Sequence, residues 1–168
     1  MVEIQELTPD QFEWALPELV YLLKECVNDG ASIGFLRPLR DEKAFDYWQG
    51  VFDTVSQRKI FIAMNEEKII GSVQLVFINI ENQLHRAEIS KLIVDPFHRN
   101  QKIGHFLVQY LERVAKENGK TLITLDTAGK VAPKFYEHLG YIKCGGIPGF
   151  ALDVDGKPEA NIFYFKSL

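Results

Sequence analysis

Cysteine is scarce in this 168-residue chain, which has only Cys26 and Cys144, far apart and without the spacing of metal ligands. No disulfide framework is expected, and two such thiols fit a reducing cytoplasm. No apolar run approaches the roughly 18 residues of a membrane span. The opening segment MVEIQELTPD also lacks the basic and apolar regions of a secretion signal. We therefore predict a cytoplasmic protein that does not bind membranes.

Excess positive charge is missing as well. The chain has 19 Lys and Arg against 23 Asp and Glu, a net charge of −4, which argues against nucleic acid or an anionic membrane as the main partner. The four histidines (His85, His98, His105 and His138) never stand at metal-ligand spacing with one another or with the cysteines, so no metal site is predicted. Hydrophobic residues make up 46% of the chain, enough for the core of one domain spanning residues 1–168.

Hydrophobic periodicity predicts two early helices, a hairpin, and then alternating strands and helices. Thr8-Pro9-Asp10-Gln11 has the capping-box signals of a helix start, Gly30 ends that helix, and a second helix begins near Asp41. Strands are predicted at VEIQEL, KIFIAM, KIIGSVQLVFI, AEISKLIV, TLITLD, YIKCGG and NIFYFK, and later helices after Ile103 and at APKFYEHLG. Residues 29–40 and 145–160 are predicted as loops. This order predicts an α/β or α+β domain with a mixed sheet.

The segment VDPFHRNQKIGHFLVQYLERV, residues 94–114, passes from a strand through a basic loop into a helix. Backbone N–H groups at a helix N-terminus are unpaired and stabilise an anion. The candidate anion-binding residues are Arg99, Asn100, Gln101, Lys102, Ile103, Gly104 and His105. The GK[ST] ending of a Walker loop is absent, as are the three glycines of a dinucleotide fingerprint. The spacing alone leaves an anion site and a plain polar turn as equal alternatives.

The run LIVDPFHRNQKIGHFLV, followed by LDT and APKFYEHLGY, resembles the GCN5-related N-acetyltransferase (GNAT) superfamily. Arg99 to Gly104 matches its Arg/Gln-x-x-Gly-x-Gly/Ala signature, with Lys102 in the place of the first glycine. The resemblance implies the GNAT fold, a mixed and mostly antiparallel central sheet flanked by helices. It also implies that the loop binds the pyrophosphate of acetyl-CoA and that the pantetheine arm lies beside Leu92, Ile93 and Val94. The segments GASIGF, NQLHRAEISKLIV and GGIPGFA are more narrowly similar to tabtoxin-resistance acetyltransferases.

Tyr136 and Asp126 are two candidate catalytic residues. Tyr136 matches the tyrosine that serves many members of the family as general acid toward the departing thiolate. The alternative for Tyr136 is a packed aromatic residue on a short helix. Asp126 ends its strand, and the resemblance implies that it works with a strand glutamate as base or partner. The alternative for Asp126 is an N-cap for the next helix.

Glu88 is the third candidate catalytic residue. Period-two alternation predicts that Glu88 shares a strand face with Ser90, Leu92 and Val94. Desolvation on such an apolar face would raise the pKa of a carboxyl group toward a value useful for a base. The alternative is an ion pair with a neighbouring cation, Arg86 or Lys91.

The resemblance implies an enzyme that transfers acetyl from acetyl-CoA to an amine or hydroxyl of a small polar molecule, directly and without an acetyl-cysteine. Two carboxylates near the thiol would favour a cationic or zwitterionic acceptor and disfavour acidic ones. One alternative is acetylation of a protein or peptide N-terminus. A rival from another class is a silent acyl-CoA-binding module, against which Glu88, Asp126 and Tyr136 argue. Whether the chain is a monomer or a homodimer stays open.

Overall fold

The computed structural model describes residues 2–129 and 131–168, and in this part of the chain seven strands form one sheet in the order β1-β2-β3-β4-β5-β7-β6. The elements are β1 (Val2–Glu6), α1 (Phe12–Asn28), α2 (Asp41–Asp53), β2 (Arg58–Asn65), β3 (Lys68–Phe77), β4 (Arg86–Val94), α3 (Ile103–Glu117), β5 (Leu122–Thr127), α4 (Ala132–His138), β6 (Ile142–Leu152) and β7 (Pro158–Ser167). Neighbouring strands are antiparallel except β4 and β5, which are parallel. The predicted mixed, mostly antiparallel sheet with flanking helices is confirmed.

The two early helices begin and end where the local sequence predicts. The Thr8 backbone N–H donates to Gln11 Oε1 at 3.1 Å, one of the capping-box bonds, and a short 3₁₀ turn at Pro9–Gln11 leads into α1. Gly30 follows α1 with φ +105°, a left-handed conformation that glycine adopts without steric cost. Residues 29–40 form neither helix nor strand, as predicted. No helix in the described residues is long and apolar enough to cross a membrane.

Each face of the sheet covers its own apolar cluster. One cluster lies between the sheet and α3, whose buried stripe includes Leu107 and Leu111. The other lies against α1 and α2 and includes Trp48, whose indole N–H donates to the Leu19 carbonyl at 2.9 Å. The β3 backbone approaches α3 closely at Gly71: a Cβ there would lie only 3.1 Å from side-chain atoms of α3.

A bulge in β4 changes which residues face which side. Lys91 has φ +51°, and the register with β3 shifts between Ser72 and Gln74. The residues that pack toward α3 are odd-numbered before the bulge and even-numbered after it: Ala87, Ile89, Leu92 and Val94. The prediction that Glu88 and Ser90 share a face with Leu92 and Val94 is therefore wrong, because the extra residue breaks strict alternation.

The predicted loop at 145–160 is also wrong. Strand β6 continues to Leu152 and β7 already begins at Pro158, so most of this segment is a hairpin. Glycines and Pro148 suggested a loop, but β6 is the edge strand, where proline and irregular pairing are tolerated. The register of the hairpin does shift between Ile147 and Ala151.

Candidate active site

Strands β4 and β5 diverge and open a cleft. Their parallel pairing covers Arg86–Glu88 against Leu122–Thr124 and no residues beyond. Within the described residues, the edge of β4 that faces β5 has no strand partner after Glu88. A cleft of about 1020 Å³ lies there, lined by residues of α1, β4, α3, β5, α4, β6 and β7 and by the segments that join them. Free backbone groups at such an edge can pair with an extended ligand as with an added strand.

The loop before α3 forms one end of this cleft. Asn100 and Lys102 are both left-handed, each with φ 62°. Glycine adopts this conformation most readily, which gives a physical reason for the glycine of the signature at the position of Lys102. Successive N–H groups in such a turn, followed by the first turn of a helix, form a concave anion site. Of the predicted loop residues, Gln101 is exposed and does not line the cleft, whereas the other six line it: Arg99, Asn100, Lys102, Ile103, Gly104 and His105.

Arg99 and Gly104 have neighbours that the sequence did not reveal. Arg99 Nη1 lies 2.6 Å from Asp29 Oδ2, in an ion pair whose two side chains are both about half exposed. A Cβ on Gly104 would lie 3.4 Å from Phe135 Cζ, so the close approach at this glycine is to α4. Leu92, Ile93 and Val94 line the cleft at the free edge of β4.

Tyr136 lies on α4 and lines the cleft, with only 6% of its surface exposed. Its ring packs edge-on against Phe135 and Tyr141. Its hydroxyl makes no hydrogen bond within the described residues. Burial raises the pKa of Tyr136, and the negative charge of Asp126 raises it further. The phenol therefore keeps its proton well beyond neutral pH, as a general acid must.

Asp126 lines the same cleft, at the end of β5. Its Oδ2 accepts a hydrogen bond from Asn161 Nδ2 at 2.7 Å. The N-cap of α4 is Val131, so the alternative of an N-cap aspartate is wrong. Asn161 Oδ1 and Glu159 Oε2 are buried beside it without hydrogen-bond partners among the described residues. The structure thus brings Asp126 and Tyr136 together with two β7 side chains that sequence reasoning missed.

Glu88 does not line the cleft. It forms an ion pair with Arg86, which also donates to Thr124 Oγ1 at 2.9 Å and to Gln83 Oε1 at 2.7 Å. The ion-pair alternative for Glu88 therefore describes what the structure shows. The pair is partly buried and, with the other hydrogen bonds of Arg86, fixes the Glu88 carboxylate on β4.

Lys91, the bulge residue, lines the cleft and was not among the predicted site residues. Burial lowers the pKa of Lys91; the charge of Asp126 opposes that change, and the positive charge of Arg58 adds to it. Its ammonium group has no ion pair within the described residues. No signal in the sequence marks a bulge here, because the segment AEISKLIV is compatible with a regular strand.

The two cysteines differ in their access to the cleft. Cys26 lines it and donates from Sγ to the Val94 carbonyl at 3.4 Å. Burial raises the pKa of Cys26 to about 12, so the thiol is protonated at neutral pH and is a poor nucleophile. Cys144 is exposed on β6 and does not line the cleft.

The loop 29–40 and the β6–β7 hairpin meet over one side of the cleft. Arg37 donates to both carboxylate oxygens of Asp155, at 2.7 and 2.9 Å, and the Arg37 backbone N–H donates to the Val154 carbonyl at 2.9 Å. Residues 29–34 and 150–154 line the cleft beneath this contact. The contact joins the two segments along one side of the cleft.

The cleft thus runs along a free strand edge between the start of α3 and Tyr136, a shape that suits an extended ligand. The sequence profile of the acetyltransferase (GNAT) family matches residues 4–141, and the chain belongs to this family. The family uses acetyl-CoA.

Known proteins agree with this assignment. An N-acetyltransferase of the hisH–hisA intergenic region of Azospirillum brasilense is 30% identical over 113 residues, which is 66% of this chain and 67% of that protein. Ribosomal-protein-alanine N-acetyltransferase from Brucella melitensis has a TM-score of 0.79 at 18% identity, over 99% of both chains. The acetyltransferase yncA from Salmonella typhimurium, solved with its cofactor acetyl-CoA, has a TM-score of 0.78 at 13% identity, over 100% of this chain and 94% of that one. At such identities the two structures show the fold alone.

Proposed function

We propose that the protein transfers the acetyl group of acetyl-CoA to an amine or hydroxyl of a small, amino-acid-like molecule, by direct transfer in a ternary complex. One observation carries the proposal: the free edge of β4 connects the loop Arg99–His105 to Tyr136 and Asp126 within a single cleft. Such a path places a phosphate site at one end and proton-transfer groups at the other. The tabtoxin-resistance acetyltransferases, similar in several segments, are the narrower group that we propose.

The residues of the cleft fit acetyl-CoA. Left-handed Asn100 and Lys102 turn the loop so that backbone N–H groups and one cation can meet a pyrophosphate. At Leu92, Ile93 and Val94 the edge of β4 that faces β5 has no strand partner and is open to the amides of a pantetheine arm. Acetyl-CoA supplies the acyl donor, an acetyl thioester.

Tyr136 and Asp126 divide the proton transfers between them. Burial keeps the Tyr136 phenol protonated at neutral pH, so its hydroxyl is available to give a proton to the sulfur as the C–S bond of the thioester breaks. Asp126 can accept a proton from the acceptor, directly or through one water, while Asn161 fixes its carboxylate. A protonated Cys26 leaves no thiolate in the cleft for an acetyl-cysteine route.

Two observations bear on the size of the acceptor. The contact between Arg37 and Asp155 joins the two segments that cover the acceptor end, which leaves less room for an extended protein tail. Glu159 and Asn161 line the same cleft, and polar side chains in such a lining suit a small polar ligand. The name of the Brucella neighbour, a ribosomal-protein acetyltransferase, makes a protein N-terminus the second candidate acceptor.

Free-thiol release from acetyl-CoA tests the function. The acceptor panel contains free amino acids, aminoglycosides, polyamines and short peptides. We expect turnover on small amino compounds, a large loss of kcat in Asp126→Asn, and a small change in the matched carboxylate variant Glu88→Gln. If peptides are the best acceptors, the small-molecule assignment fails. If acetyl-CoA binds and no acceptor is acetylated, the silent binding module is the better description.

A further inference from the structure

Lys91 occupies an unusual position for a cation. The β4 bulge sets its backbone at φ +51°, and its ammonium reaches the loop between α1 and α2: a Cβ built on Gly34 would lie 3.4 Å from Lys91 Nζ. The side chain lines the cleft together with Asp126 and Asn161. The ammonium thus lies between the free edge of β4 and the loop that covers the acceptor end.

Lys91 makes no ion pair among the described residues, although the charge of Asp126 favours its ammonium form. No carboxylate lies within ion-pair distance of Nζ in the part of the chain that the structure describes. Partial burial lowers the pKa of Lys91, which shows that the folded protein holds the ammonium at a cost. A partly buried cation without a counter-ion is destabilising unless a ligand supplies the missing anion.

Hydrogen-bond acceptors stand across the cleft from this cation. Asn161 is only 8% exposed, and its Oδ1 is buried without a partner among the described residues. Its Nδ2 donates to Asp126, so the exposed carboxylate is held in place with its charge toward the cleft, and the unpartnered amide oxygen lies buried beside it. These groups suit the N–H donors of an ammonium or amino group.

We propose that Lys91 binds an anionic group of the acceptor, a carboxylate or a phosphonate, while Asp126 and Asn161 bind the amino group that is acetylated. The acceptor is then a zwitterion, such as a free amino acid, and the anion at Lys91 sets the direction in which its amine points. This inference rests on the proposed function and specifies its substrate class. It revises the expectation that acidic acceptors are disfavoured, which considered the carboxylates alone. A residue inside a peptide, with its carboxylate consumed in an amide bond, would lack the group that Lys91 binds.

Matched pairs of acceptors test the proposal: L-amino acids and their C-terminal amides, compared as kcat/KM. The wild type should prefer each free acid, and Lys91→Met, which keeps the side-chain length and removes the charge, should abolish that preference. From the strength of hydrogen bonds to charged groups, we expect kcat/KM of Lys91→Met to fall about 10- to 100-fold for the free acids, mainly through a higher KM, and to change little for the amides. Lys91→Arg should restore part of the preference. The control Lys143→Met removes an exposed cation outside the cleft and should change neither series.

Two results would overturn the role of Lys91 while leaving the acetyltransferase intact. The first is that the wild type acetylates the amides as efficiently as the free acids. The second is that Lys91→Met lowers kcat/KM equally for the acids and for the amides. If the wild type acetylates nothing, the proposed function fails, and calorimetry then decides the Lys91 question. Free amino acids should bind the complex of protein and coenzyme A more tightly in the wild type than in Lys91→Met; equal binding, or none to either, would refute the anion site.

Discussion

Replacing Lys102 by glycine should separate two roles of this residue, the backbone turn and the positive charge. Lys102 stands directly before α3 with φ 62° and ψ 12°, a left-handed conformation. Lys102→Gly removes the cation and relieves the backbone. Lys102→Ala removes the cation and leaves the backbone in the same unfavourable region, so it is the matched control.

The expected magnitudes follow from that geometry. A left-handed residue other than glycine costs roughly 1–2 kcal/mol, and the extra freedom of glycine in the unfolded chain costs roughly 0.5–1 kcal/mol. Lys102→Gly should therefore raise the free energy of unfolding by about 0.5–1 kcal/mol, or Tm by about 2–3 °C for a chain of this size. Both variants should bind acetyl-CoA about two- to fivefold more weakly, because an exposed cation near phosphate contributes modestly.

Thermal unfolding measures the change in stability, and calorimetric titration with acetyl-CoA at low and high salt measures the change in affinity. The affinity gap between wild type and either variant should narrow at high salt, since ions screen exposed charges. A destabilised Lys102→Gly would refute the left-handed turn. Equal affinity of all three proteins at low salt would refute the phosphate contact, whatever the stability result.

The other predictions concern the tyrosine, the glycines and the thiols. Tyr136→Phe should preserve the fold and lower kcat by roughly 100- to 10,000-fold, because the ring stays and the proton donor is lost; near-normal kcat would reduce Tyr136 to a packing residue. Gly71→Ala should destabilise the protein by about 1–3 kcal/mol, since the new methyl group would lie 3.1 Å from α3 side chains. The control Gly50→Ala lies at an exposed position of α2 with open space around it and should stabilise the protein by about 0.5–1 kcal/mol. Urea unfolding compares the two variants, and equal effects would contradict the close packing at Gly71. Because the pKa of Cys26 is raised to about 12, alkylation of this thiol should be slow at neutral pH and should accelerate about tenfold per pH unit up to that value. The exposed Cys144 should react fast. Rapid labelling of Cys26 at neutral pH in the variant Cys144→Ser would contradict the burial of Cys26.

Local patterns in the sequence were sufficient to predict the helices and most of the sheet. The stripe of Leu107 and Leu111 in α3 repeats at helical spacing and is buried as expected. The capping residues Thr8 and Gln11 likewise act within a few residues of one another, so the sequence contains the whole signal. The strands of the β6–β7 hairpin were predicted too short, because edge position, which makes Pro148 acceptable in a strand, is a property of the whole sheet.

The candidate site could be predicted only in part. Asp126 and Tyr136 follow family motifs and do line the cleft. Glu88 does not line the cleft and shares no face with Leu92 and Val94, because the left-handed residue Lys91 inside β4 reverses the alternation after it. That bulge depends on how β4 pairs with β3, so no residue pattern within AEISKLIV reveals it. Asn161 was missed for a similar reason, since its contact with Asp126 joins residues 35 positions apart.

Hydrogen exchange in the presence and absence of coenzyme A tests most directly where the acyl carrier binds. Coenzyme A should slow amide exchange in two segments, 89–94 at the free edge of β4 and 100–105 at the start of α3, because ligand contacts would protect N–H groups that lack partners in the free protein. The edge strand β6, which has exposed amides and lies outside the phosphate end of the cleft, is the internal control over residues 142–147. Protection of both segments with no change in that control is the predicted result. Tight binding of coenzyme A without protection of 89–94 would show that the divergence of β4 and β5 does not hold the pantetheine arm, and would contradict the proposed site.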